Sequence, residues 1–230
     1  MLAMMAGPAQ ADVSLACRVP DALLTLDSEL KRVEHLVDRS QPVRILRIRP
    51  PLESPATAVA NVATLDRELA RRLPDVIFTI IEARPPPGGA RHDFEQIRAT
   101  LDIVDPDLVI WQLGTGDALA ATNLDDFADT LEAAADWIEG RDVDLVVIDP
   151  PFVPNVPYER RYIQLVQRID AISLRDKMNV VSQYDATRYL LNRPLPSSIG
   201  AITGLSTQLE NSSSCMPELM AEAIVRAATR

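Results

Sequence analysis

The sequence predicts a three-layer α/β fold, in which a doubly wound parallel sheet of about five strands lies between two layers of helices. The strand candidates are nearly continuous apolar runs, as is typical of sheets that are buried on both faces. They alternate with helix candidates whose apolar residues recur at intervals of three and four. A chain of 230 residues with 47% hydrophobic residues is long enough to bury such a sheet within one domain.

The elements follow one another along the chain as strand and helix in turn. The clearest strand is "DLVIWQLG", and the clearest helix is "NLDDFADTLEAAADWIEG", whose apolar residues form one stripe and whose final glycine suits a helix C-terminus. The predicted strands span residues 43–48, 75–83, 107–114, 143–150 and 179–184. The predicted helices span residues 58–73, 91–104, 123–140, 158–177 and 217–229.

The composition and the N-terminal sequence indicate the cellular compartment and the classes of binding partner. Residues 1–11 are interpreted as the remnant of a signal peptide with a small-residue cleavage site, or else as a flexible apolar tail, and 12–42 as an N-terminal extension of a single domain at 43–230. The net charge of −10 argues against nucleic acid as a partner. No apolar run approaches the roughly 20 residues of a transmembrane helix. We expect a periplasmic or secreted protein, or a cytoplasmic one if residues 1–11 are not a clipped signal peptide.

Two cysteines lie at opposite ends of the chain. Cys17 follows the predicted cleavage site, and Cys215 precedes the last predicted helix. In an oxidising compartment they could form a disulfide that joins the two ends of the domain. The alternative interpretation is two unrelated buried thiols.

The motifs for common cofactors are absent from the sequence. No G-x-G-x-x-G follows the first strand, and no phosphate-binding G-x-x-x-x-G-K-[ST] occurs. The two histidines, His35 and His92, are far apart in the sequence, and neither has a histidine or cysteine nearby. We therefore predict no cofactor and no metal site.

Ligands of a parallel sheet bind beyond the carboxyl ends of the strands, so the loops at that edge are the candidates. The third predicted strand ends in Gly114-Thr115-Gly116-Asp117, where glycine lets a ligand approach the backbone and the two polar side chains can hydrogen-bond it. Ordinary turn formation explains the same residues. Asp149, at the end of the fourth strand, can likewise bind a ligand or cap the loop that follows it.

The order of the elements, with a third strand that ends in G-T-x-D, resembles the SGNH (GDSL-type) hydrolase family over about residues 43–229. The resemblance implies a flavodoxin-like α/β/α fold and serine ester hydrolysis. In that family G-D-S after the first strand carries the nucleophile, and a glycine after the second donates a backbone N–H. The asparagine of G-x-N-D after the third strand completes the oxyanion hole. A D-x-x-H block before the last helix gives the base and its orienting carboxylate.

This chain departs from the family at the reactive positions. Gly88 or Gly89 can still donate an N–H after the second strand, but the chain has no histidine after His92. The positions of the family's serine, asparagine, aspartate and histidine are occupied by Pro51, Gly116, Thr203 and Ser206. Proline has neither a nucleophilic side chain nor a backbone N–H.

Three hypotheses about function follow. The first is a catalytically inactive SGNH-like protein of the cell envelope that binds a carbohydrate, an acyl-ester ligand or a protein partner, with Gly88 and the Gly114–Asp117 loop among the binding residues. The second is an active ester hydrolase with a relocated pair, Ser54 and His92, since both belong to loops at the same sheet edge. The third is a structural or scaffolding subunit whose former cleft is filled.

Overall fold

The computed structural model describes residues 13–48, 55–155, 159–193 and 214–230. The predicted signal-peptide remnant lies outside these residues. So do four positions that the sequence analysis singled out, Pro51, Ser54, Thr203 and Ser206.

The centre of the protein is a five-stranded parallel sheet with the strand order β2-β1-β3-β4-β5. Its strands are β1 (Val43–Ile48), β2 (Phe78–Ala83), β3 (Leu108–Gln112), β4 (Asp144–Ile148) and β5 (Asn179–Val181). The central strands are buried along almost their whole length, which agrees with their apolar sequences. The order reverses between β1 and β3, and the crevice at this reversal is where sheets of this kind bind ligands.

Helices cover both faces of the sheet, as the sequence predicts for a doubly wound fold. They are α1 (Lys31–Val37), α2 (Pro55–Arg72), α3 (Ala90–Val104), α4 (Thr115–Ala120), α5 (Leu124–Glu139), α6 (Glu159–Asp176), α7 (Gln183–Asn192) and α8 (Met216–Ala228), preceded by a 3₁₀ helix (Asp21–Leu24). The clearest predicted helix, α5, starts at Asn123, whose side chain accepts hydrogen bonds from the backbone N–H groups of Asp125 and Asp126.

The prediction was wrong at the end of the fifth strand. Gln183 and Tyr184 were assigned to β5, but they open α7. The Asp149 carboxylate accepts a hydrogen bond from the Tyr184 N–H, at 2.9 Å, and so fixes the first turn of a helix there. The short helices α1 and α4 were also not predicted, because neither is long enough to show a helical period.

Each face of the sheet has its own hydrophobic core. On one face, α1, α2 and α8 pack over side chains such as Ile45, Ile110 and Ile148. On the other face, α3, α5 and α6 pack over side chains such as Leu46 and Trp111. We call the first the α8 face and the second the α5 face.

The N-terminal segment is part of the α8-face core. Leu24, Leu26 and Leu30 are almost fully buried there. Cys17 and Cys215 form a disulfide across a sequence separation of 198 residues, which confirms the predicted pairing. The beginning of the described chain is therefore fastened directly to the start of α8.

Buried ion pairs fasten α2 to α8. The Arg72 side chain, which is 1% exposed, donates from Nε to Glu222 Oε2 at 2.8 Å and from Nη1 to Glu68 Oε2 at 2.6 Å. Arg226 donates to the other oxygen of Glu222 at 2.7 Å. Glu222 thus holds two guanidinium groups from different helices, and such an arrangement is strongly destabilised when one partner is removed.

Candidate functional site

The β3–α4 loop lies at the point where the strand order reverses. Gly114 has φ +93°, a conformation that favours glycine, and a Cβ atom there would lie 2.9 Å from Pro150 Cγ of the β4 loop. Thr115 and Gly116, both half-buried, open α4. Tyr162 of α6 donates a hydrogen bond from its hydroxyl to Thr115 Oγ1 at 3.0 Å. The loop is therefore held from two sides.

Asp117 connects this loop to the loop after β2. Its carboxylate is 2% exposed, and both oxygens lie 3.1 Å from the N–H of Ala90, the first residue of α3. Gly89, with φ +78°, passes so close that a Cβ atom would lie 2.4 Å from Asp117 Oδ1. Burial raises the pKa of Asp117, against the hydrogen bonds from Ala90 and the Thr122 side chain. Asp117 thus acts as a clamp on the Gly88–Gly89 turn, and a ligand-binding role for it stays a prediction.

His92 lies in the first turn of α3, against that same glycine turn. Its Nδ1 is 3.2 Å from the Gly88 carbonyl oxygen, and a Cβ atom on Gly88 would lie 2.1 Å from Nδ1. The half-buried ring borders a polar cavity of about 280 Å³ between α3 and α5. The lining of this cavity includes Arg91, His92, Asp117, Thr122, Asn123 and Asp126. His92 therefore sits beside the candidate loops, whereas His35 lies on α1, before β1.

The structure contains a buried acid beside this cluster that the sequence analysis missed. Asp93 is 5% exposed and accepts a hydrogen bond from Trp111 Nε1 at 3.0 Å. Burial, together with the nearby negative charge of Asp117, raises the pKa of Asp93 to about 7, although the hydrogen bond from Trp111 lowers it. Its position could have revealed it, because Asp93, Ile97 and Leu101 follow one another at intervals of four on the buried side of α3.

Asp149 lies at the carboxyl end of β4 and is 1% exposed. It caps α7 through the backbone N–H groups of Gln183 and Tyr184. Burial raises its pKa well above the usual value for an aspartate. The geometry fits the capping role that the sequence analysis weighed against ligand binding, and the binding role remains a prediction.

Two glutamines that the sequence analysis did not select meet at the same edge. Gln112, the last residue of β3, donates from Nε2 to Oε1 of Gln183, the first residue of α7, at 2.7 Å. Gln183 is buried and Gln112 is half-buried. We call these two side chains the amide pair. Nothing in either strand or loop sequence predicts the contact, since the residues are 71 positions apart.

Within the described ranges, no cluster of three or more His, Cys, Asp and Glu residues is arranged to hold a metal ion. No helix there has the length and apolar composition required to cross a membrane.

Comparison with known proteins places the fold and the family. A family model described as the non-GDSL lipase-like family matches residues 16–230. The chain belongs to this family. No curated protein matches the sequence of this lipase-like protein.

Solved structures share the SGNH hydrolase fold with the lipase-like protein. A catalytic mutant of an acetylxylan esterase from Geobacillus stearothermophilus has a TM-score of 0.61 and 14% identity, over 82% of this chain and 94% of that one. A lipase/acylhydrolase from Enterococcus faecalis has a TM-score of 0.55 and 19% identity, over 80% and 93%. A G-D-S-L family structure from Desulfitobacterium hafniense has a TM-score of 0.56 and 14% identity, over 80% and 99%. Identities this low establish the fold alone.

Proposed function

We propose that this lipase-like protein binds a carbohydrate or an acyl-ester ligand at the carboxyl edge of its sheet and does not hydrolyse it. The observation that carries the proposal is the composition of the reactive positions. The sequence has two histidines, and neither follows residue 92, so the family's D-x-x-H block has no base. Gly116 stands where the family has its oxyanion asparagine, and Pro51 stands where it has its nucleophile.

The expected loss of rate is large. Removing one oxyanion-hole donor slows a serine hydrolase by roughly 10²–10³-fold. Removing the nucleophile or the base slows one by about 10⁶-fold. A chain that lacks all three groups should hydrolyse esters only at the residual rate that substrate binding alone supports.

The contacts that position the loops of the site are nevertheless present. The Asp117 carboxylate holds the Gly88–Gly89 turn against the Gly114 loop, although no reactive group requires that precision. A buried carboxylate packed against a glycine with positive φ is understandable if the loops still shape a binding surface. The ligand class is suggested by the acetylxylan esterase and the lipase/acylhydrolase that share the fold.

A location in the cell envelope or outside the cell forms part of the proposal. The Cys17–Cys215 disulfide supports it, because disulfides persist in oxidising compartments and are rare in the cytosol.

An active ester hydrolase is the second candidate, and the position of His92 favours it. The ring borders the polar cavity beside Asp117, and Ser54 follows the end of β1 at Ile48 by six positions in the sequence. A serine and a histidine in hydrogen-bond contact would form a nucleophile and base. This candidate predicts that Ser54→Ala and His92→Ala each abolish turnover, whereas His35→Ala, on the distant α1, leaves it unchanged.

The test is hydrolysis of p-nitrophenyl acetate, run beside labelling by a serine-reactive fluorophosphonate and binding of acetylated xylotriose by calorimetry. We expect no turnover above the buffer rate, no labelled serine, and measurable binding. Turnover that Ser54→Ala or His92→Ala abolishes would replace the proposal with the active enzyme. An absence of both turnover and binding would leave the scaffolding hypothesis of a filled cleft.

A further inference from the structure

The amide pair lies at the carboxyl edge of the sheet, on the α8 face. Gln112 follows Leu108 and Ile110 at intervals of two, and both of those side chains belong to the α8-face core. Its register partner on β4 is Ile148, which is paired in turn with Val181 of β5. The two amides therefore meet above the end of β4, bridging a distance of about two strand spacings.

The contact between the two amides uses only part of their hydrogen-bonding capacity. Each amide carries two N–H donors and a carbonyl oxygen. One N–H and one oxygen are used in the 2.7 Å bond, and no other hydrogen bond of either side chain is found among the described residues. A carbonyl on one glutamine and an NH₂ on the other are thus left over. The same groups are left over if both amides are rotated by 180°, because Gln183 then donates and Gln112 accepts.

A second observation comes from the next turn of α7. Thr187 lies four residues after Gln183, on the same side of the helix, and is 1% exposed. Its Oγ1 is buried and has no hydrogen-bond partner in the part of the chain that the structure describes. Buried hydroxyls without partners are rare in folded proteins, and this one lies about one helical turn from Gln183 of the amide pair.

The carbonyl and NH₂ groups that the amide pair leaves free determine which ligands could bind to it. A carbonyl and an NH₂ on two side chains in contact match a neutral group that both donates and accepts, such as a sugar hydroxyl or an acetamido group. An acetyl ester only accepts, so it satisfies half of the pair. An anionic ligand is disfavoured, because the chain carries a net charge of −10.

From these observations we infer that the Gln112–Gln183 amide pair is the polar anchor of the ligand site and selects carbohydrates with free hydroxyl or acetamido groups over fully O-acetylated ones. The inference rests on the proposed function, because it assigns the ligand class of the same edge of the sheet. No residue of the family's four sequence blocks is required for it.

The experiment compares three probes, xylotriose, its fully O-acetylated form and triacetylchitotriose. Binding is followed by calorimetry and by the ¹⁵N–¹H signals of the glutamine side chains. The variants are Gln112→Met and Gln183→Met, which keep the volume and remove an amide. Gln112→Glu keeps a bond to Gln183, whose NH₂ donates to the new carboxylate, but it reduces the free N–H groups of the pair from three to one. Gln96→Met is the matched control, since it removes an amide that donates to Thr100 Oγ1 on α3, at 2.8 Å.

We expect the wild-type protein to bind xylotriose or triacetylchitotriose more tightly than O-acetylated xylotriose, with shifts in the signals of both glutamines. Each amide-pair variant should weaken this binding about tenfold, as expected when a polar anchor loses its hydrogen bond. Gln96→Met should bind as the wild type does. Equal melting temperatures of the wild type and Gln112→Glu would show that the weaker binding of this variant does not come from a loss of stability.

Two results would overturn the inference and leave the proposed function standing. One is binding by the amide-pair variants within twofold of the wild type, and the other is tighter binding of the fully O-acetylated probe. Failure of the wild-type protein to bind any of the three probes would overturn both the proposed function and this inference.

Discussion

Replacing Asp93 by asparagine tests whether a buried acid keeps its proton at neutral pH. Asp93 is almost fully buried and accepts a hydrogen bond from Trp111 Nε1 at 3.0 Å. Burial raises its pKa from 3.8 to about 7. Between these values the folded protein retains a proton that the unfolded chain has released, so the free energy of unfolding falls as the pH rises.

The size of this effect follows from the two pKa values. For a single acid with these values, the linkage relation gives a loss of about 3 kcal/mol in the free energy of unfolding between about pH 4.5 and about pH 7.5. Asparagine keeps an oxygen for the indole N–H of Trp111 and cannot ionise. The Asp93→Asn variant should therefore gain about 3 kcal/mol relative to the wild type over this interval.

The assay is urea unfolding followed by tryptophan fluorescence at several pH values across that range. Asp102→Asn is the control, because it removes an exposed carboxylate from the same helix, and its curve should run parallel to the wild-type curve. Parallel curves for the wild type and Asp93→Asn would refute the reasoning, since they would mean that Asp93 ionises as readily in the folded protein as in the unfolded chain.

Further predictions concern the glycine turn and the disulfide. Gly89→Ala should lower the free energy of unfolding by about 2 kcal/mol or more, because φ is +78° and the new Cβ would lie 2.4 Å from Asp117 Oδ1. The control variant Gly140→Ala, at φ −62°, should change the free energy of unfolding by less than about 1 kcal/mol. Similar urea midpoints for the two variants would contradict the close contact between Gly89 and Asp117. Removing the disulfide with Cys17→Ala and Cys215→Ala should cost about 5 kcal/mol in the chain-entropy model, given the 198-residue separation. Chemical denaturation of this double variant measures the loss, and an unchanged midpoint would contradict it.

The sequence predicted the layers of the fold because each layer has a local pattern. The apolar runs of β1 to β4 and the stripe of α5 are visible within single segments. Gln183 and Tyr184 were misassigned because their helix depends on Asp149, 35 residues earlier, which supplies the cap. Local pattern cannot reveal a partner of this kind.

The candidate site was predictable to the same extent. Its backbone turns could be placed from Gly88, Gly114 and the ends of the strands. The roles of the polar side chains could not, because they depend on contacts between distant segments. Asp117 was selected as a ligand-binding residue, which stays a prediction, whereas the contact of its carboxylate with the N–H of Ala90, 27 residues away, could not be read from the local sequence.

The disulfide also determines how the protein would respond to a pulling force. A tension applied between Val13 and Arg230 would pass from Cys17 to Cys215 through the sulfur atoms and would bypass all five strands. Only the two segments outside the bridge, residues 13–17 and residues 215–230 with α8, could then lengthen, while the 198-residue span between the cysteines would remain unstretched. With the bridge intact the force could therefore pull only α8 away from the core, and with the bridge reduced the same force would also act on the sheet.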